Sequence, residues 1–272
     1  MDLIFFDLDG TLLNDVSEIS SFTKETLVLL NKKDIAYTVA TGRTMLSAQS
    51  ILNGHDFGLP QVYNNGVTIW DPKIGQLTLE NLLSNSEISK VINIAVSQGI
   101  TPFVHTIDNH HHSIFHGATR HKVEEELIKK HYSHTSAKLL PLHALPDDSQ
   151  VTNISMIGDC DVIDQMWGEV NTYPNLVAYS GPALEGNQYR WMDVHHRLAS
   201  KGSAVTSLKK QLGATNIICF GDSDNDLSMF ALADESYAPD NARTNIKESA
   251  SAVIGHNNED GIAHFLRERF SL

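Results

Sequence analysis

Cysteine is scarce: the 272 residues contain two, Cys160 and Cys219, far apart and in no metal-binding or redox spacing. A disulfide framework is therefore not expected, and Cys219, inside the apolar run NIICF, reads as core. Basic residues are also in deficit, 20 Lys and Arg against 33 Asp and Glu, a formal charge of −13. Such a chain has no broad basic field for nucleic acid or an anionic membrane, so any phosphate site must be positive only locally. No apolar run approaches the ~20 residues of a membrane span, and the N-terminus lacks a basic stretch leading into an apolar segment. The expectation is a cytoplasmic protein that binds neither nucleic acid nor membrane and shows no sign of an obligate protein partner. Internal repeats and low-complexity tracts are missing too.

What is present is ordinary globular composition, 41% hydrophobic and 19% charged, enough for one large domain or two modest ones. The run LIFFD reads as a strand buried on both faces, and it is followed by a helical segment over about residues 20 to 33. AYTVATGRT and QVYNNG repeat that grammar of strand, small or polar residues, then turn or helix. It resumes after residue 200 with KGSAVTSLKKQLG, NIICFGD and ESYAP. Alternation of this kind predicts an α/β fold, a Rossmann-like parallel sheet whose ligands gather at the carboxyl ends of the strands. Between the two stretches the order changes to helices followed by strand pairs. One hairpin is expected to turn at Asp108 and Asn109, a helix to span residues 119 to 131, and PLHALPDD to form a link. We therefore expect an α+β domain inserted at residues 81 to 192, with residues 1 to 80 and 193 to 272 forming the core.

The chemistry concentrates at strand ends. Residues i and i+2 of a strand face the same way, so Asp7 and Asp9 are expected to project together while Gly10 turns the chain away. A second acidic group, GDSDND at 221 to 226, follows another apolar strand and can bring Asp222 and Asp226 to the same edge. Two like charges about 4 Å apart repel by ~4 kcal/mol at an effective dielectric near 20. Clustered carboxylates thus call for a counter-charge, and oxygen-only ligation suits Mg²⁺ better than zinc. A carboxylate can also attack phosphorus, provided the phosphoryl charge is neutralised and the leaving oxygen protonated. Thr41 offers a hydroxyl at a third strand end, and Lys201 a cation ahead of a helix.

DLDGTL (7 to 12), ATGR (40 to 43), the SKG around Lys201 and GDSDND resemble the four ordered motifs of haloacid-dehalogenase-superfamily phosphatases. NNG at 64 to 66, the insert, and EDGI at 259 to 262 resemble the Cof-type subfamily with a large α/β cap. The resemblance implies a Mg²⁺-dependent phosphatase of small phosphorylated metabolites, with Asp7 as nucleophile and Asp9 as the acid that protonates the leaving group and later activates water. It implies metal held by the Asp7 carboxylate, the Asp9 carbonyl and Asp222, with Asp226 supporting. Thr41, Gly42, Lys201 and Asn225 would hold the phosphoryl group, and the insert would act as a lid that sets specificity. APDNA at 238 to 242 departs from the pattern, since relatives often carry Gly before the Asn.

Other residues keep two readings. Asn65 and Gly66 either make the turn into the hairpin VTIWDPKIGQLTL or touch substrate. Arg43 is a candidate substrate contact, as is Arg190, which with Trp191 reads equally well as surface and core. His110, His111 and His112 read as solvated residues of a hairpin tip, because adjacent side chains there diverge. The rival functions are a phosphomutase, a phosphoacceptor signalling module, and a metabolite-binding protein without catalysis.

Overall fold

The computed structural model describes residues 1–108 and 110–272. Two compact units divide the chain, one of Met1–Thr78 with Ser200–Leu272, the other of Leu79–Ala199.

The first unit begins with β1 (Asp2–Phe6), fully buried from Leu3 onward. Leu3 and Phe5 enter one apolar cluster, while Ile4 and Phe6 enter the other, so both faces of the strand need cover. α1 (Ser21–Lys32) starts where the Ser20 hydroxyl accepts the Thr23 N–H. β2 (Ala36–Val39) and α2 (Met45–Leu52) follow. β3 (Gln61–Tyr63) and β4 (Thr68–Asp71) pair antiparallel, and β5 (Gln76–Leu79) completes a three-stranded sheet.

In the second unit α3 (Asn85–Ser97) opens on a capping box between Ser84 and Glu87. β6 (Phe103–Asp108) and β7 (His111–His116) pair antiparallel. The turn expected between them includes Asn109, which lies outside the described residues. α4 (Lys122–Leu127) is shorter than the helix expected over 119–131, because the backbone widens into a looser turn from Ile128 to Tyr132. β8 (Lys138–Pro141) escaped the sequence reading: KLLP has no alternation, sits at the sheet edge parallel to β7 and ends on proline. β9 (Val151–Asp159), α5 (Cys160–Val170), β10 (Leu176–Pro182) and β11 (Tyr189–His196) complete a six-stranded sheet of order β10-β11-β9-β6-β7-β8. The chain re-enters the first unit at Ser200 and not after residue 192, since β11 stays paired to β10 as far as His196.

Back in the first unit come α6 (Lys201–Leu212), β12 (Asn216–Phe220), α7 (Leu227–Phe230), β13 (Glu235–Pro239), α8 (Thr244–Ser249), β14 (Ala252–Ile254) and α9 (Gly261–Phe270). All five strands of its main sheet run parallel in the order β14-β13-β12-β1-β2. β1 is flanked by β12 and β2, with Phe6 beside Phe220 and Val39. The residues that follow these three strands therefore emerge along one edge, at the point where the strand order reverses. No helix of the described residues is long and apolar enough to cross a membrane.

Candidate active site

Three strand ends deliver Asp7, Thr41 and Asp222. Leu3 and Phe5 of β1 share a cluster with Val205 and Leu208 of α6, and Asp7, still extended at φ −68° and ψ 161°, continues that face. Lys201, the first residue of α6, meets it there. The fully buried ammonium donates to Asp7 Oδ1 at 2.5 Å and to Asp226 Oδ1 at 2.6 Å. Ser200 caps the helix by accepting the Ser203 N–H, which fixes where Lys201 begins.

Carboxylate oxygens of Asp7, Asp222 and Asp226 lie within 4.8 Å of one another. One lysine does not balance three such groups. Burial drives the Asp7 carboxyl well above its usual range; Lys201 pulls it down, while Asp226 and Asp222 push it further up. Asp222 is raised by burial and then by Asp226. For Lys201, burial alone would lower the ammonium, but Asp226 and Asp7 outweigh it and hold it above the ordinary lysine value.

The three carboxylates are not equivalent. Asp226 Oδ2 accepts the backbone N–H of both Asp222 and Ser223 at 2.9 Å, so with Lys201 on Oδ1 both its oxygens are committed to bracing the loop. Asp7 meets Lys201 through Oδ1, and Asp222 is met by the hydroxyls of Thr11 at 3.1 Å and Ser223 at 3.0 Å. Hard oxygen donors crowded in this way fit a divalent cation such as Mg²⁺, which the side chains of Asp7 and Asp222 could hold.

Asp9 departs from the expectation that it projects beside Asp7. Strand pairing ends at Phe6, and residues 8 to 12 form a wide turn in which Gly10 takes φ 71°. Asp7 is 5% exposed, whereas the Asp9 side chain is 55% exposed and held by the Arg43 fork, Nε to Oδ2 at 2.7 Å and Nη2 to Oδ1 at 2.5 Å. The same guanidinium donates to Ser17. Arg43 therefore contacts the side chain of Asp9.

Thr41 is buried, with its hydroxyl accepting the Arg43 N–H at 3.1 Å. Gly42 lies against the side-chain amides of Asn65 and Asn225, which are hydrogen-bonded to each other. Gly66, at φ 100°, sits so close to Ser200 that a Cβ would collide with its carbonyl. Arg190 occupies β11 in the second unit, on the face shared with Met192 and Val194, and its Nε lies 3.1 Å from Asp164 of α5. His111 is exposed, whereas His105 is buried, with its Nε2 3.0 Å from Ser155 Oγ; burial lowers it to about 4.

Two contributors were not singled out from the sequence. Thr11 reaches Asp222 across the cluster, and the sequence signal was present in the DGT triplet. Asn241, in the departing APDNA segment, donates to the Gly10 carbonyl at 2.7 Å and accepts the Asn257 N–H. The loop without the usual Gly thus braces the turn that carries Asp9.

A family model described as haloacid dehalogenase-like hydrolase matches residues 4–266. A 5-amino-6-(5-phospho-D-ribitylamino)uracil phosphatase of Bacillus subtilis, YwtE, is 28% identical, covering 100% of this chain and 99% of the relative. An HMP-PP phosphatase of Enterobacter sp. is 27% identical over 97% of this chain and 94% of the relative. A solved haloacid dehalogenase-like hydrolase from B. subtilis superposes with a TM-score of 0.81 at 24% identity, covering 98% of this chain and 99% of the other.

Proposed function

The chain belongs to the haloacid dehalogenase-like hydrolases and is a phosphatase of small phosphorylated metabolites, and from that premise we propose that it works with Mg²⁺ through a phosphorylated Asp7. The observation that carries this reading is Asp7 itself, a buried carboxylate fixed on Lys201 at 2.5 Å inside an acidic cluster. Mg²⁺, held by the Asp7 and Asp222 side chains and the Asp9 main-chain carbonyl, would neutralise charge on the phosphoryl oxygens.

An Asp7 oxygen attacks phosphorus as the bond to the leaving oxygen breaks, and Asp9 gives that oxygen a proton. Lys201, Thr41, Gly42 and Asn225 hold the phosphoryl oxygens. Asp9 then takes a proton from the water that attacks phosphorus, which releases inorganic phosphate and restores the Asp7 carboxylate. We assign this chemistry to the first unit and the choice of substrate to the second, and place the reaction in the cytoplasm. The substrate class is a sugar phosphate or a cofactor-related phosphate. The name of the Bacillus relative, an aminouracil with a phosphorylated ribityl chain, supports a phosphorylated polyol within that class.

Release of inorganic phosphate from a panel of phosphorylated metabolites tests the reading. Activity is expected with Mg²⁺, lost with EDTA and restored by excess Mg²⁺. Accumulation of an isomeric phosphoester without free phosphate would make the enzyme a mutase, and turnover unchanged by EDTA would remove the metal.

Arg43→Ala is expected to slow turnover by about tenfold or more, because Asp9 loses the fork that holds its carboxylate in one orientation. The loss should be greater for alkyl phosphates than for p-nitrophenyl phosphate, whose leaving group needs little protonation. Equal losses on both substrates would show that Arg43 does not act through the proton donor.

A further inference from the structure

The NNG turn between β3 and β4 touches three of the four motif loops. The Asn65 N–H donates to the Thr41 carbonyl at 3.0 Å, and the Asn64 N–H to the Arg43 carbonyl at 2.9 Å, which closes the ATGR loop onto the turn. Gly66 presses on Ser200, the residue that caps α6 and places Lys201. Asn65 Oδ1 accepts Asn225 Nδ2 at 2.9 Å and so reaches the GDSDND loop. These contacts need an unusual backbone: Asn64, Asn65 and Gly66 take φ 49°, 53° and 100°, a left-handed run that asparagine tolerates better than most residues.

We propose that Asn65 is a positioning residue, whose side-chain oxygen fixes the amide of Asn225 in the orientation that receives the phosphoryl group. An asparagine amide has two N–H groups and one acceptor. Asn65 takes one N–H of Asn225, which leaves the second N–H for a phosphoryl oxygen. It also sets the opposite end of the amide: Asn225 Oδ1 is buried with no hydrogen-bond partner among the described residues, so that end can receive a hydroxyl of the ligand. Without the Asn65 oxygen the Asn225 amide rotates freely, and either end can face the phosphate. A Cβ at Gly42 would come within 3.3 Å of both Asn225 Nδ2 and Asn65 Oδ1, so a residue without one lets the hydrogen-bonded pair sit close to the ATGR loop. This role rests on the phosphatase reading, in which Asn225 holds phosphate.

Asn65→Gly removes the acceptor yet keeps a residue at ease in the left-handed region. For this variant the KM for p-nitrophenyl phosphate and the inhibition constant for inorganic phosphate are expected to rise together about tenfold, with a smaller change in kcat. Asn225→Ala should do the same, and the double variant should be no worse than either single one. In nitrogen-edited NMR of the Mg²⁺-loaded protein, the two Asn225 side-chain amide protons should be well separated in the parent, one of them moving on phosphate addition. In the Asn65→Gly variant they should draw together, a signature read from folded molecules even if the melting temperature falls. Asn65→Gly with parental phosphate constants, or effects of the two variants that multiply, would overturn the positioning role. Parental constants in Asn225→Ala, with phosphatase activity intact, would instead retire the assignment of Asn225 to phosphate on which the role depends.

Discussion

Asp7→Asn is expected to abolish phosphate release, by on the order of 10⁴-fold or more, while the protein stays folded. An amide oxygen is a poor nucleophile toward phosphorus, and the neighbouring carboxylates are each engaged: Asp226 by Lys201 and two backbone N–H groups, Asp222 by the Thr11 and Ser223 hydroxyls, and Asp9 by Arg43. Stability should survive because Asn keeps the volume of Asp and still accepts from Lys201. It also removes a buried carboxyl that burial has already driven well above its usual range. Steady-state release of inorganic phosphate, read beside the thermal midpoint of the same preparation, checks both halves. A folded Asp7→Asn protein with parental turnover would falsify the nucleophile assignment. A second readout is independent of rate: a rapidly quenched parent reaction should carry acid-stable, hydroxylamine-sensitive phosphate on the chain, and the variant none.

Lys201→Met should have the largest effect on stability. The ammonium is fully buried between Asp7 and Asp226, and its removal leaves carboxylates facing one another without a counter-charge. Breaking a buried pair in this way costs about 3–5 kcal/mol, and each kcal/mol is worth roughly 2–4 °C in a chain somewhat smaller than this one. A fall in melting temperature of about 6–20 °C is therefore expected, together with loss of activity on the order of 10³-fold.

Acid and metal should each restore part of the lost stability. Asp7 already binds its proton more tightly in the folded chain than in the unfolded one, so its contribution is present at low pH and is lost as pH rises through its raised folded value. Without Lys201 to pull it down, that value rises further. The variant should accordingly regain stability as pH falls toward the unfolded carboxylate range near 4. Added Mg²⁺ should raise its melting temperature at neutral pH by supplying the missing positive charge. A Lys201→Met protein that melts with the parent at neutral pH, without metal, would show that the lysine is not the counter-charge of the cluster.

Much of the site was legible before any coordinates. An apolar run long enough for one strand and buried on both faces points to a parallel sheet, and acidic residues directly after such runs fall at its carboxyl edge. That logic puts Asp7 and Asp222 at one edge, where their carboxylate oxygens lie close to those of Asp226. It also located the helix that begins with Lys201. It failed where the signal was not periodic. Period-2 logic makes Asp9 an i+2 partner of Asp7 on one strand, but after the Asp7 N–H donates to the Phe220 carbonyl the chain leaves the sheet in the turn of residues 8 to 12. β8 is four residues long without alternation, and its parallel partner β7 lies more than twenty residues back in the chain. After the GDSDND loop, α7 spans only Leu227–Phe230, because Asp224–Asp226 form a tight turn that aims Asp226 back at the backbone of Asp222.

Local pattern alone determined which residues stand at strand ends and that the core alternates strand and helix, and it marked the carboxylates and the lysine that the fold brings together. Tertiary structure decided how those charges are shared: Lys201 between Asp7 and Asp226, Arg43 on Asp9, Asn65 on Asn225. The reason is the range of the forces involved. Periodicity and capping are written over a few neighbouring residues, whereas a hydrogen bond spanning 194 positions, from Lys201 to Asp7, exists only once strand order and register have brought the two ends together.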